Sequence, residues 1–338
     1  MSGINKRHVY LYILICVLLV FTFFLNVCTG SKGVSAGDAL SILFTHNKDS
    51  VDGTVIWDIR LPRTVAAFFL GGALSLSGYA LQAFFANPIA GPFVLGISSG
   101  AKLMVALLMV AASLNGFYLN SGLLIVAAFA GALIVTRIVI LLSGRVKSMS
   151  VLIVCGVMVG YICSAVTELA ISFADDTNIV NLHSWTMGSF SAVSWSNVAA
   201  LTPVVCAGFI LLFFMSKGIE AYLYGEQYAM SLGMNVTLFR KLLIIVSSML
   251  SATVTAFVGP VSFVGIAVPH MARVLFKTSK PKVLITASFL MGAWFCMLCD
   301  LVARRLFAPS ELSISTITAV FGAPVVISML LKREKRQI

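Results

Sequence analysis

Apolar runs recur along the whole of this 338-residue chain, and their number and length limit what it can fold into more than any other feature. There are ten, at 9–27, 64–82, 95–112, 119–142, 151–173, 198–214, 242–258, 261–268, 283–302 and 314–331. A hydrocarbon core about 30 Å thick is crossed by about 20 helical residues, and many of the runs reach that length. Inside lipid every backbone polar group must pair internally, which leaves helices or a closed barrel. Barrel strands would alternate in polarity over about ten residues, and these runs do not. The expectation is an all-α, polytopic membrane protein of about ten transmembrane helices, forming one domain over 1–338. The run at 261–268 is too short to cross alone and is bracketed by Gly259-Pro260 and Pro269. It reads as a kinked or broken span held among its neighbours, where irregular backbone is tolerated at membrane depth.

Composition agrees. The chain is 59% hydrophobic and 10% charged, whereas soluble domains carry about 25% charged residues. The formal charge of +11 sits in short clusters between the runs, without aromatic interleaving or a soluble domain to form a groove, so nucleic acid is not an expected partner. Membrane lipid is. The seven cysteines (16, 28, 155, 163, 206, 296 and 299) lie almost entirely within apolar runs, where a thiol packs as a small hydrophobe, and a disulfide framework is not expected. Cys296 and Cys299 form a C-x-x-C one helical turn apart, but no second Cys or His pair completes a metal site. The first run exceeds a signal-peptide core of about 7–15 residues and lacks a small-x-small cleavage site, so it reads as a retained span. Val27 before Cys28 argues against lipoprotein processing.

Lysine and arginine in short loops set the orientation. With the N-terminus inside, the inner segments hold Lys6, Arg7, Arg145, Lys147, Lys217, Arg240, Lys241, Arg273, Lys277, Lys280, Lys282 and the basic tail from Lys332 to Arg336. Outer segments hold Lys32, Lys48, Arg60, Arg63, Arg304 and Arg305, diluted by acids such as Asp175, Asp176 and Glu311. Both termini are therefore expected in the cytoplasm. NPIAGPFVLGISSGAK after the second span echoes GPVSFVGIAVPHMAR after the seventh on the opposite face, the pattern of an inverted repeat.

Four local features bear on function. GISSG at 96–100 matches G-x-S-x-G, which would make Ser98 a nucleophile, but that chemistry needs a strand, a strained turn and a His–acid partnership. His8, His46, His183 and His270 have no acid placed to orient them, and small residues at this spacing serve helix packing. Arg60, Arg63 and Arg304 stand at the outer face against the positive-inside bias. They are either snorkelling anchors or a set of guanidiniums suited to carboxylates on a docking protein. Lys102 and Glu168 lie inside apolar runs and either pair with each other or line a polar path. Residues 220–233, EAYLYGEQYAMSLG, are too polar and too short to span. Gly225 divides them into two short helical pieces whose apolar positions recur at helical spacing, as a helix-in-groove contact requires.

Several long motifs then occur in order: RLPRTVAAFFLGGALSLSGYALQAFFANPIAGPFVLGISSGA at 60–101, WTMGSFSAVSW at 185–195, GEQYAMSLG at 225–233, GPVSFVGIAVPHMARVL at 259–275, and DLVARRLFAPSELSISTITAVFGAPVVISMLLKR at 300–333. With these the chain resembles the FecCD-type permeases, membrane subunits of ABC importers for ferric siderophores, haem and cobalamin. The resemblance implies the inverted-repeat type II ABC importer permease fold and ten spans in a bacterial cytoplasmic membrane. It also implies a second permease subunit, identical or sister, two cytoplasmic ATP-binding subunits and an extracytoplasmic substrate-binding protein. It makes residues 218–235 the coupling segment, with Gly225, Glu226, Ala229, Leu232 and Gly233 in contact with the ATPase, and Arg60, Arg63 and Arg304 the docking arginines. Gln227 stands where the family pattern has a second acid, and Gly91 in NPIAGP replaces an acid. Lys102 and Glu168 depart from the family's neutral spans, so the resemblance assigns them nothing. No Walker motif ending in Gly-Lys-Ser/Thr is present, so no ATP hydrolysis, cofactor or catalytic residue is expected of this chain. An ion-coupled secondary transporter using Lys102 and Glu168, and an intramembrane hydrolase using Ser98, are the alternatives.

Overall fold

The computed structural model describes residues 6–29, 36–45, 50–115, 119–146, 148–308 and 310–334. Lys32, His46, Lys48, Lys147, Lys335 and Arg336 lie outside the described residues, and all regular structure within them is helical. In chain order the helices are α1 (Lys6–Cys28), α2 (Ala36–Thr45), α3 (Val51–Thr54), α4 (Leu61–Phe84), α5 (Ile97–Asn115), α6 (Ser121–Ser143), α7 (Met149–Ile171) and α8 (Asp176–Thr186). They continue as α9 (Trp195–Phe214), α10 (Ser216–Leu223), α11 (Glu226–Ser231), α12 (Val236–Val258), α13 (Val264–Phe276), α14 (Pro281–Arg305) and α15 (Ile314–Glu334). Among the described residues nine helical segments are long and apolar enough to cross a membrane, and α13 is a shorter apolar tenth.

The helix starts have local causes. Asn120 and Asn235 cap α6 and α12 by accepting from the backbone N–H of Leu123 and Leu238, at 2.8 and 3.0 Å. The second span is longer than its apolar run, because α3 and a π-helical turn at Val55–Arg60 lead directly into α4. The eighth element departs from expectation in its bounds: it begins after Phe263, which sits at φ +63, and runs through Pro269 to Phe276. A proline has no N–H to give to the carbonyl four residues back. Here that carbonyl, Gly265 O, accepts instead from Gln82 Nε2 of α4 at 3.3 Å. The helix therefore tolerates its proline by borrowing a donor from its neighbour.

α4 is the hub. It packs against α9, α12, α13 and α14, and 83% of its apolar window is buried, against 28% for α1, 17% for α7 and 28% for α15. Lipid tails give helices no hydrophobic reason to associate, so close van der Waals approach has to supply the attraction. α4 achieves it by lacking side chains where it meets its neighbours. Gly71 faces Gly292 and Cys296 of α14, and a Cβ on Gly78 would fall inside the van der Waals shell of the Gly265 carbonyl on α13. Toward α12 the contact is polar: the hydroxyls of Ser77 and Ser247 lie 2.9 Å apart, and each donates to the other's backbone carbonyl, at 2.8 and 2.9 Å. A third glycine contact, Gly100 of α5 on Gly131 of α6, fastens the α5–α6 pair.

Gly78→Ala should therefore separate α4 from α13, and the loss should exceed the 1–3 kcal/mol typical of an overpacked core (about that range), because backbone opposes the new methyl. The expected result is a sharp fall in monodisperse protein after detergent extraction. A wild-type elution profile and thermal midpoint would contradict the close contact.

Candidate functional site

Two polar assemblies stand out, one at each end of α4. The first is built on residues 216–233. Gly225 has φ +118 and ψ 150, a region only glycine occupies without strain, and it separates α10 from α11. Gly233, at φ +79, closes α11, its N–H donating to Met230 O at 2.9 Å. A side chain at either glycine would meet nothing within 4 Å, so their requirement is conformational. Ile219, Tyr222 and Ala229 turn inward and are buried, whereas Tyr224 is 75% and Leu232 61% exposed, with Leu223, Tyr228 and Met230 also exposed. The outward apolar row is a short, knobbed ridge.

The ridge is fixed to the bundle by one phenol. The Tyr222 hydroxyl lies 3.2 Å from the Phe84 carbonyl, at the end of α4, and 3.1 Å from Glu226 Oε1. Arg240 of α12 donates to the same Glu226 oxygen at 3.3 Å, and its guanidinium stands 5.4 Å from the centre of the Phe84 ring. Burial, and secondarily the Glu226 charge, pushes the Tyr222 phenol above its ordinary value of 10.0. It stays a proton donor, and the stability it contributes is fully present below about pH 10 and lost only at more alkaline pH. Glu226 is thus a brace for α11 as well as a surface charge.

The second assembly is an ion cluster at the opposite end. Arg63 Nε and Nη2 donate to Asp300 Oδ1 at 3.0 and 2.8 Å, and its Nη1 donates to Glu311 Oε1 at 3.0 Å. Arg304 Nε lies 3.3 Å from the other Asp300 oxygen, and its Nη2 donates to both the backbone and side-chain oxygens of Asn26 in α1. Arg60 donates to the carbonyls of Val27 and Cys28 at 3.1 and 3.2 Å, filling the end of α1. The sequence places these three arginines at an outer rim; the structure buries them, at 4%, 5% and 8% exposure for Arg60, Arg63 and Arg304, with internal acceptors. For Arg63 and Arg304 the reason is Asp300, 1% exposed, a carboxylate whose burial requires cations beside it; for Arg60 it is the open carbonyls at the end of α1. Glu311, its side chain 43% exposed, covers the outward edge of Arg63.

Asp300 escaped the sequence reading although two signals were present: an acid inside an apolar run needs a partner, and Asp300 precedes Arg304 by one helical turn. Lys102 and Glu168 are not brought together. Both helices run the same way, with Gly96, just before α5, against Gly160 of α7 and Ser113 bonded to Asp175, so Lys102 and Glu168 differ by about four residues, ~6 Å, along the axis. No ion pair joins them among the described residues, and Glu168 is exposed on the least buried span. Ser98 lies in the first turn of α5 after a 3-10 turn at Pro92–Leu95, its hydroxyl 3.4 Å from Thr255 Oγ1. The glycines of GISSG serve packing: Gly100 meets Gly131, and Gly96, at φ +73, meets Gly160.

A bundle with most of its polar machinery at its two ends, and a braced ridge at one of them, defines a polytopic membrane permease. The chain belongs to the FecCD transport family, whose model matches residues 18–332. It is 36% identical over 333 residues to the vitamin B12 import system permease protein BtuC of Salmonella typhi, covering 97% of each chain, and 35% identical to that of Salmonella schwarzengrund over the same span. The fold matches a solved structure described as an inward-facing conformation of a metal-chelate type ABC transporter, with a TM-score of 0.84 and 27% identity over 96% of this chain and 99% of the other. PsaBC from Streptococcus pneumoniae shares the fold at a TM-score of 0.54 and 15% identity, over 82% of this chain and 92% of that one. The chain is therefore a multi-pass ABC importer permease, a transport subunit and not an enzyme in its own right.

Asp300→Asn should leave Arg63 and Arg304 buried without full compensation, costing about 3–5 kcal/mol. Glu311→Gln, at a half-exposed position, should cost less than about 1 kcal/mol. Thermal unfolding of the two variants in detergent checks the ranking, and equal midpoints would contradict a buried cluster centred on Asp300.

Proposed function

We propose that this chain is the membrane-spanning subunit of an importer that moves an iron chelate, or a similar large metal complex, into the cytoplasm. Two ATP-binding subunits on the cytoplasmic side drive it, a substrate-binding protein delivers the cargo from outside, and a second permease subunit completes the path. The observation that carries this reading is the α10–α11 ridge fastened to the end of the most buried helix. A ridge held this way can transmit a push into the bundle, whereas a loose loop would absorb it. Supporting the cargo class, the similar proteins are described as vitamin B12 permeases and as a metal-chelate type transporter.

In this mechanism ATP draws the two motor subunits together, and their grooves carry Leu232 and its exposed neighbours with them. Gly225, Glu226, Ala229 and Gly233 keep the ridge in shape, Ala229 as its inward anchor. Tyr222 passes the displacement to the Phe84 end of α4, and the helices rock between outward and inward access. The exposed face of α7, carrying Glu168, lies against water in the path or against the second permease, because a carboxylate facing hydrocarbon costs several kcal/mol (about 2.5–3.5). Lys102, half-buried in the second turn of α5, has the same choice of surroundings. Both termini lie in the cytoplasm in this orientation. The binding protein docks at the Arg60, Arg63 and Arg304 end, where one of its carboxylates takes the place of Glu311 on the outward edge of Arg63.

Reconstituted in liposomes with its motor subunits and binding protein, the permease should take up cargo only with ATP on the motor side. Uptake that ignores ATP and follows an ion gradient would overturn the reading. Tyr222→Phe and Glu226→Gln should fold, at a cost of about 1–2 kcal/mol each, yet hydrolyse ATP with several-fold less transport per ATP; unchanged coupling would remove the brace. Glu311→Gln should raise binding-protein affinity a few-fold by removing the internal competitor, with an affinity that falls as salt rises. An unchanged or weakened complex would exclude the exchange at Arg63.

A further inference from the structure

At the ridge end of the bundle a cleft of about 820 Å³ opens between α4, α10, α13 and the start of α14, and the coupling reading gives it no role. Arg273, Lys277 and Lys280 line it against the single acid Glu220. Arg273 is half-buried, and among the described residues no carboxylate lies within ion-pair distance of it. Such a guanidinium, kept partly out of water without a partner, is an anion receptor in search of an anion.

The deep wall carries a second, independent signal. Tyr79 and Gln82 are only 1% and 3% exposed, and the Tyr79 hydroxyl and Gln82 Oε1 have no hydrogen-bond partner among the described residues. Buried polar atoms are nearly always satisfied, so two orphans on one cleft wall ask for a ligand or water. Their senses differ. Gln82 Nε2 is committed to the carbonyls of Gly265 and Ile266, at 3.3 and 3.2 Å, which leaves its oxygen as an acceptor. Asn87 accepts from Ile89 N–H at 3.2 Å through Oδ1, leaving its Nδ2 as a donor. The cleft therefore offers cations and neutral donors together with two acceptors, Gln82 Oε1 and Glu220.

We propose that this cleft binds a phosphate-bearing ligand that also carries hydroxyl groups, a phosphoglycerol unit being the simplest that fits. Arg273 grips the phosphate in bidentate fashion, with Lys277 and Lys280 completing the charge, and Tyr79 donates its hydroxyl. The ligand's hydroxyls donate to Gln82 and Glu220. A carboxylate side chain from a docked protein satisfies the arginine but leaves the acceptors empty and most of the volume unfilled, since ligand pockets of about 300–1,000 Å³ normally enclose whole small molecules. The phosphoglycerol comes either from the headgroup of phosphatidylglycerol in the bilayer or from a soluble ester on the same side.

The test uses the full-length permease alone, delipidated in neutral detergent, so its failure leaves the transport reading untouched and a failure of uptake leaves this proposal untouched. Two probes separate the sources: glycerol 1-phosphate, titrated against the thermal midpoint with glycerol as control, and phosphatidylglycerol, whose retention in native mass spectrometry is compared with phosphatidylcholine. Binding of either probe over its control supports the proposal and names the source. Lys277→Gln with Lys280→Gln, at exposed positions, should weaken that binding about tenfold or more and flatten its dependence on salt. Tyr79→Phe should weaken it several-fold while the unliganded midpoint stays equal or rises, because the variant removes an orphaned hydroxyl. Neither probe exceeding its control, or affinities equal in all variants, overturns the proposal. So does Lys277 becoming shielded from acetylation by added ATP-binding subunits but by neither probe, which would make the cleft a protein contact.

Discussion

The fold depends on how closely backbones approach around α4. Between helices in lipid there is no water to expel, so what holds them is the density of van der Waals contact and a few shared hydrogen bonds. α4 presents Gly71 and Gly78 where α14 and α13 cross it. Ser77 occupies the crossing with α12, where hydroxyls and carbonyls interlock. Side chains of ordinary size at these three positions would hold the neighbours apart, and the hub would lose its purpose.

That hub gives the two polar assemblies a common mount. Arg63 at one end of α4 belongs to the ion cluster, and Phe84 at the other accepts the Tyr222 hydroxyl. At ~1.5 Å per residue, the 24 residues of α4 span about 36 Å, so one rigid element reaches from the ion cluster to the α10–α11 ridge. The polar groups near α4 are also arranged to preserve its neighbours. Gln82 supplies the donor that Pro269 lacks, which keeps the short α13 helical despite its proline.

Much of this was legible beforehand, because a span of apolar residues admits few alternatives inside a bilayer. All ten apolar runs became helices, and Gly225 divided residues 220–233 into two short helices as its position implied. What the sequence concealed were facts of distance. Three outer arginines read as anchors or as a surface for a partner because the acid that Arg63 and Arg304 share, Asp300, sits 237 residues from Arg63 and inside an apolar run, and Arg60 turns to the carbonyls that end α1. Lys102 and Glu168 read as a possible pair, but no ion pair joins them among the described residues, and Glu168 turns to the exposed face of α7. α2 and α8 were missed because their residues mix polar and apolar character without the length of a span. The basic cleft was invisible for a related reason: its walls come from four separate segments, and Tyr79 and Gln82 look like any polar residues in a tightly packed helix.

The long separations inside the ion cluster also set an order of events during synthesis. Asn26 of α1 donates to Met297 O, 271 residues later, and Arg63 waits for Asp300. At about 5–20 residues per second, the first two spans stay in the bilayer for roughly ten to fifty seconds before their partners emerge from the ribosome. Throughout that interval Arg63 has no Asp300 to meet, and its guanidinium reaches for the headgroups, which holds the start of the second span near the surface. Arrival of α14 then draws the early helices to their final depth, so the nascent subunit acquires its shape late and nearly all at once.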